Sequence, residues 1–96
     1  MSDVIDGAVQ ALNARMTDGF SAGVAKFIIE DEGAIMLDAQ GARAGDEEAD
    51  VTLTASRDTF EGILSGDVNP TAAFMSGKLT VDGNVGLAMQ LGAALS

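Results

Sequence analysis

Cysteine, histidine, tryptophan and tyrosine are all absent from this chain of 96 residues, and proline occurs once. Without cysteine there is no disulfide framework and no thiol nucleophile. Without histidine, the side chain best suited to proton transfer near neutral pH is missing. Soft-metal sites draw on the same two residue types and fall with them. Basic residues are scarce, five against fifteen acidic ones, giving a net charge of -10. No basic stripe can form, which argues against nucleic acid as a partner. Anionic headgroups repel such a chain, so membrane contact is expected to be transient at most. No apolar run reaches ~18 residues, the length a spanning helix needs. The opening MSDVIDGAV lacks a basic region followed by an apolar stretch, so no secretory signal is expected. Ala94-Leu95-Ser96 is not a peroxisomal address. The expected compartment is the cytoplasm.

What is present is apolar material, 47% of residues, too much for a disordered chain. A chain of this length buries roughly 60–65% of its unfolded surface, so residues 1–96 are read as one domain with one core. Four phenylalanines are its only aromatics, which predicts an aliphatic core with methionine as filler.

Apolar residues at Ile5, Ala8, Val9, Leu12 and Met16 recur at helical spacing. They predict a first helix, capped by Ser2 or Asp3 and followed by Gly19 and Gly23. Residues 24–30 and 34–39 alternate with period two, placing Phe27, Ile29, Ile35 and Leu37 on inner faces. Asp31-Glu32-Gly33 between them marks a hairpin turn. Residues 41–48 read as a polar loop. Residues 49–55 read as a third strand with Val51, Leu53 and Ala55 inward.

Ser56 caps a helix over 57–64, whose inner side is Phe60, Ile63 and Leu64 and whose end is Gly66. Asn69-Pro70 opens a further helix with Ala73, Phe74 and Met75 inward and Gly77 as its stop. Residues 78–82 form a short strand with Leu79 and Val81 inward, and Asn84 caps a last helix over 85–95. The order α, β, β, β, α, α, β, α predicts an α+β fold. Its mixed sheet has four to five strands, a three-strand meander plus a crossover strand, with helices packed on one face.

Reactive constellations are missing. Most of the fifteen carboxylates fall in turns or on outer strand faces, where they read as solvated charge. Glu30-Asp31-Glu32-Gly33 lacks the alternating oxygen ligands and distal glutamate of a calcium loop. Gly83-Asn84-Val85-Gly86 opens a helix but lacks a third glycine and a lysine, so it reads as turn and cap rather than a phosphate cradle. The chain is not expected to be an enzyme, and no cofactor or metal is expected.

The last helix is apolar almost all round: Val85, Leu87, Ala88, Met89, Leu91, Ala93, Ala94 and Leu95, with Gln90 its polar interior residue. A small domain has little core in which to bury such a helix, so it is expected to lie over an apolar space or to leave an exposed apolar patch. Methionines at 16, 36, 75 and 89 suit an irregular apolar surface as well as core filling.

Asn69-Pro70, Ala73-Phe74, Gly77-Lys78-Leu79, Val81, Gly83-Asn84 and Gly86-Leu87-Ala88-Met89 with Leu91 resemble, without a gap, the C-terminal signature of the type-two sterol carrier protein family. Residues 49–66 are similar to that family too. The resemblance implies a non-enzymatic intracellular carrier that binds fatty acids, fatty acyl-CoA or sterol-like lipids in an apolar tunnel between sheet and helices. The shortness of this chain implies a stand-alone, bacterial-type carrier of acyl chains. The alternative is a lipid-presenting module that works with a lipid-metabolising enzyme or dimerises through its last helix; a weak dimer and a client enzyme are the corresponding partners.

The residues expected to line the tunnel are Leu12, Met16 and Phe20 from the first helical region and Phe27, Ile29, Ile35 and Leu37 from the sheet. Phe60, Ile63, Leu64, Phe74 and Met75 follow from the middle helices, with Leu79, Val85, Leu87 and Met89 at the end. An empty ~300 Å³ hollow would cost about 7 kcal/mol, comparable to the whole stability of a small domain. The protein is therefore expected to retain a lipid or to close up.

Overall fold

The structure, a computed structural model, describes residues 3–95, and for Asp3 the backbone alone. The expected cap at Ser2 or the Asp3 side chain lies outside what it describes. Nine elements follow in order: α1 (Asp3–Arg15), β1 (Ala25–Ile29), β2 (Gly33–Asp38), β3 (Gly41–Ala44), β4 (Val51–Ala55), α2 (Arg57–Ser65), α3 (Pro70–Met75), β5 (Leu79–Gly83) and α4 (Val85–Leu95).

Local chemistry sets most of these boundaries. The Thr59 N–H donates to the Ser56 hydroxyl at 3.2 Å, capping α2. That helix ends where Gly66 turns left-handed, φ 88°, and donates to the Ile63 carbonyl. The Thr71 and Ala72 N–H groups donate to the Asn69 side-chain oxygen at 2.9 and 3.1 Å, and Pro70 takes the first helical position of α3. Leu87 donates to the Asn84 side chain at 3.1 Å, starting α4.

The five strands form one mixed sheet in the order β3-β2-β1-β4-β5. β1, β2 and β3 are the meander, with Phe27 opposite Ile35 and Leu37 opposite Ala42. Two expectations are corrected here. Residues 41–44 are a strand, not part of a loop. The strand at 51–55, expected to continue the meander, instead runs parallel to β1, with Phe27 beside Leu53. Between β3 and β4 the chain crosses the sheet's outer face. There Glu47 donates to the Met36 sulfur at 3.4 Å, and Asp46 pairs with Lys26 at 2.8 Å. This passage is why Met36, on the outer face, is fully buried.

The core lies between the inner face of the sheet and the helices. Ala25, Phe27, Ile29, Ile35, Leu37, Val51, Leu53, Ala55 and Leu79 meet Ile5, Ala8, Leu12, Phe60, Ile63, Ala73 and Leu91. Among the described residues no polar or charged side chain is buried. α1 lies toward the β3 edge and packs against α2, whereas α3 and α4 pack together over β4 and β5. Asn13 of α1 clamps the edge strand: its side-chain oxygen accepts from the Ala42 N–H at 2.8 Å and its amide donates to the Ala42 carbonyl at 3.1 Å. Among the described residues no helix is long and apolar enough to cross a membrane.

Candidate functional site

The pairing of α3 with α4 creates an apolar cleft above the β4–β5 end of the sheet. α3 is only six residues long, so its inner stripe is Pro70 and Ala73. α4 answers with small residues, Ala88 and Gly92, and the latter approaches Pro70 so closely that an added Cβ would lie 3.4 Å from the proline ring. Small residues at the contact let the two helices close at Pro70, while Phe74 and Val85 remain exposed. The floor of the cleft is Phe27, Leu53, Leu79 and Val81, its back Ile63, Leu91 and Leu95. Thr71 is the one polar side chain on its lining.

The enclosed volume is about 30 Å³, on the order of one or two waters. Leaving so small a space empty costs about 0.7 kcal/mol, which a small domain tolerates. The mouth is flexible chemistry: Phe74, Val85 and Met89 line it and remain 41%, 49% and 55% exposed. Single-bonded side chains there can swing outward without breaking the sheet.

Of the tunnel residues expected from the sequence, the structure brings Phe27, Ile63, Phe74, Leu79, Val85 and Met89 together around this cleft. Leu12, Met16, Phe20, Ile29, Ile35, Leu37 and Leu87 are buried but stand outside its lining. Leu87 covers Gly23 instead, and an added Cβ on that glycine would meet it at 2.8 Å. Phe60 and Leu64 line a separate groove between α1 and α2. Met75 is corrected outright: it is 80% exposed, because the helical turn that buries Ala73 carries Met75 to the opposite side of α3. The lining residues not foreseen are Leu53, Pro70, Thr71, Val81, Ala88, Leu91, Gly92 and Leu95. The strong alternation in 51–55 and the small residues of α4 were the signals that could have found several of them.

Charge lies away from the cleft. Arg43 holds Asp38 at 2.7 Å and reaches Glu47 at 3.5 Å. The Arg43 hydrogen bond, helped by the Gln40 N–H, lowers the Asp38 pKa from its ordinary value, and Asp38 in turn raises that of Arg43. Arg57 pairs with Glu61 at 3.0 Å and is raised for the same reason. Among the described residues no cluster of three or more acidic side chains is placed to hold a metal ion. The lining is apolar apart from Thr71, and the space as it stands admits about two waters.

Comparison with known proteins agrees with this fold. Residues 6–96 match the SCP-2 sterol transfer family. The chain belongs to that family. Among solved SCP-2 structures, the sterol carrier protein domain 2 of Helicoverpa armigera is 27% identical, with a TM-score of 0.74 over 96% of this chain and 84% of that one. The sterol carrier protein-2 of Aedes aegypti, solved in complex with palmitate, shares the fold with a TM-score of 0.77 at 24% identity, covering 100% of this chain and 97% of that one. Among curated proteins, the hydroxysteroid dehydrogenase-like protein 2 of Bos taurus is 43% identical over 68 residues, 65% of this chain and 16% of that protein. The matches span from 8% to 16% of the length of such curated relatives, so only their SCP-2 portion is shared.

Proposed function

We propose that this SCP-2 domain is a non-enzymatic carrier for lipids with a long alkyl part, such as fatty acids, fatty acyl-CoA or sterol-like molecules. The observation that carries the reading is the cleft: apolar on every side but Thr71, with a mouth of half-exposed Phe74, Val85 and Met89. The palmitate complex of the Aedes aegypti protein makes palmitate the natural probe.

Moving a sixteen-carbon chain from water into an apolar site gains roughly 0.8 kcal/mol per methylene, about 12 in all. A bilayer offers nearly the same. Exchange between carrier and membrane is then close to balanced, and the shape of the site selects what is kept. Bound ligand stabilises the fold by about 2.7 kcal/mol at a hundredfold excess over Kd, which raises Tm by roughly 10–20 °C. The test is a palmitate titration followed by Tm and by displacement of a fluorescent fatty acid. Met89→Glu, at a position exposed enough to leave folding intact, is expected to abolish the rise. Wild-type protein that shows neither a Tm rise nor displacement overturns the reading.

A second reading is favoured by one observation: the curated relatives are much longer proteins, several with dehydrogenase names. In it the domain presents lipid to an enzyme, or pairs with a second copy through Val85 and Met89. A concentration-dependent mass in sedimentation, lost in Val85→Ser, distinguishes the paired form.

A further inference from the structure

A second hollow, a groove open to solvent, lies on the far side of the core. It lies between α1 and α2 and has a volume of about 450 Å³. Val4, Ala8, Ala11, Phe60 and Leu64 give it an apolar surface. Arg57, Glu61 and Ser65 complete the lining; Arg57 and Glu61 are bonded to each other, so neither charge is free to fix an ion in the groove. Gly7 of α1 leaves it open: a Cβ added there would meet nothing within 4 Å.

The groove and the cleft share a wall. Phe27 lines the cleft and Phe60 the groove, and the two rings meet edge to face with centroids 5.2 Å apart at 62°. Ile63 and Leu64, neighbours on α2, likewise face one hollow each. The contact is between two buried side chains, and side chains turn far more readily than backbone moves.

Volume shows why this matters. An apolar cavity of about 150 Å³ holds a benzene ring, six carbons, so sixteen carbons need roughly 400 Å³. The cleft, at about 30 Å³, is short by an order of magnitude, whereas the groove, at about 450 Å³, is not. We propose that the Phe27–Phe60 pair is a movable partition within one lipid site. The α1–α2 groove then takes the far part of a long alkyl chain whose other part fills the cleft. The proposal rests on the lipid-carrier reading and adds the residues that set chain length.

Gly7→Phe plugs the groove from its open side without touching the cleft lining. Saturated fatty acids of eight, twelve, sixteen and eighteen carbons are titrated against wild type and variant by calorimetry, with Tm as the control for folding. The eight-carbon acid needs roughly 200 Å³ on the same scale, which the cleft supplies only when Phe74, Val85 and Met89 swing out of its mouth, and it is expected to bind both proteins alike. The sixteen- and eighteen-carbon acids are expected to bind the variant at least tenfold more weakly. Gly7→Leu, a smaller plug at the same place, covers the case in which phenylalanine disturbs α1, and the same pattern is expected of it. Long-chain affinities unchanged in a folded variant overturn the partition and leave the carrier reading standing. Wild-type protein that binds no acid of any length overturns the carrier reading and the partition with it.

Discussion

At the scale of single residues, two positions set what the fold can tolerate. Gly83 ends β5 with φ 98°, and a Cβ there would lie 2.6 Å from the Asp50 carbonyl oxygen. That carbonyl also accepts from the Asn84 N–H at 3.0 Å, so the same spot fixes the start of α4. Gly83→Ala is expected to cost about 2–3 kcal/mol and to lower Tm by on the order of 10 °C, read by urea and thermal unfolding. The second position is Asp38. Its pKa is lowered in the folded state by the Arg43 hydrogen bond, so its contribution is present above the unfolded carboxylate pKa. It is lost as pH falls through the lowered folded value. Tm-against-pH curves of wild type and Arg43→Gln should differ near neutrality and converge in acid; a gap that persists in acid would show that the pair acts through packing instead.

Elements show how far the sequence alone could be read. α2, α3, β5 and α4 were legible because capping residues and left-handed glycines bracket them: Ser56, Gly66, Asn69-Pro70, Gly77 and Asn84. β3 was not. Its residues, Gly41–Ala44, are small and flank a single arginine, so they carry no apolar alternation. Pairing with β2, from which only two residues separate it, and the clamp from Asn13 make it a strand, and Asn13 is distant in sequence. The third-strand error has a related origin. Period two in 51–55 reports a half-buried strand but not its neighbour, and that choice depends on how 45–50 cross the sheet.

For the cleft, the apolar character of α4 was visible from its sequence. Which of its residues face inward depended on the small pair Ala88 and Gly92, and no propensity scale marks these as a contact. The far end of α4 is held by Arg15, whose guanidinium donates to the Leu95 carbonyl at 2.8 Å. A cation at a helix C-terminus suits both the unpaired carbonyls and the dipole. Arg15→Ala is expected to cost about 1 kcal/mol. Hydrogen exchange should speed up about fivefold in the last turn of α4 and stay unchanged in β1. Uniform acceleration would mean that Arg15 supports the whole fold rather than this helix end.

For the whole molecule, charge decides how it meets a surface. At -10 overall, the protein is repelled by anionic vesicles, and salt shortens the reach of that repulsion to about 8 Å at 0.15 M. Lipid transfer to anionic vesicles is therefore expected to accelerate as salt rises, while transfer to zwitterionic vesicles stays flat. The opposite trend on anionic vesicles would reveal a local basic contact that outweighs the net charge. The Asn13 clamp has a consequence at this scale as well. An open sheet presents its border to any stray strand, and such borders are where fibres begin. With the Ala42 backbone groups already satisfied by an amide from the same chain, that border offers a poor template for growth. Replacing Asn13 with alanine should matter less to a dilute sample than to a concentrated one, where turbidity and thioflavin fluorescence would rise with time.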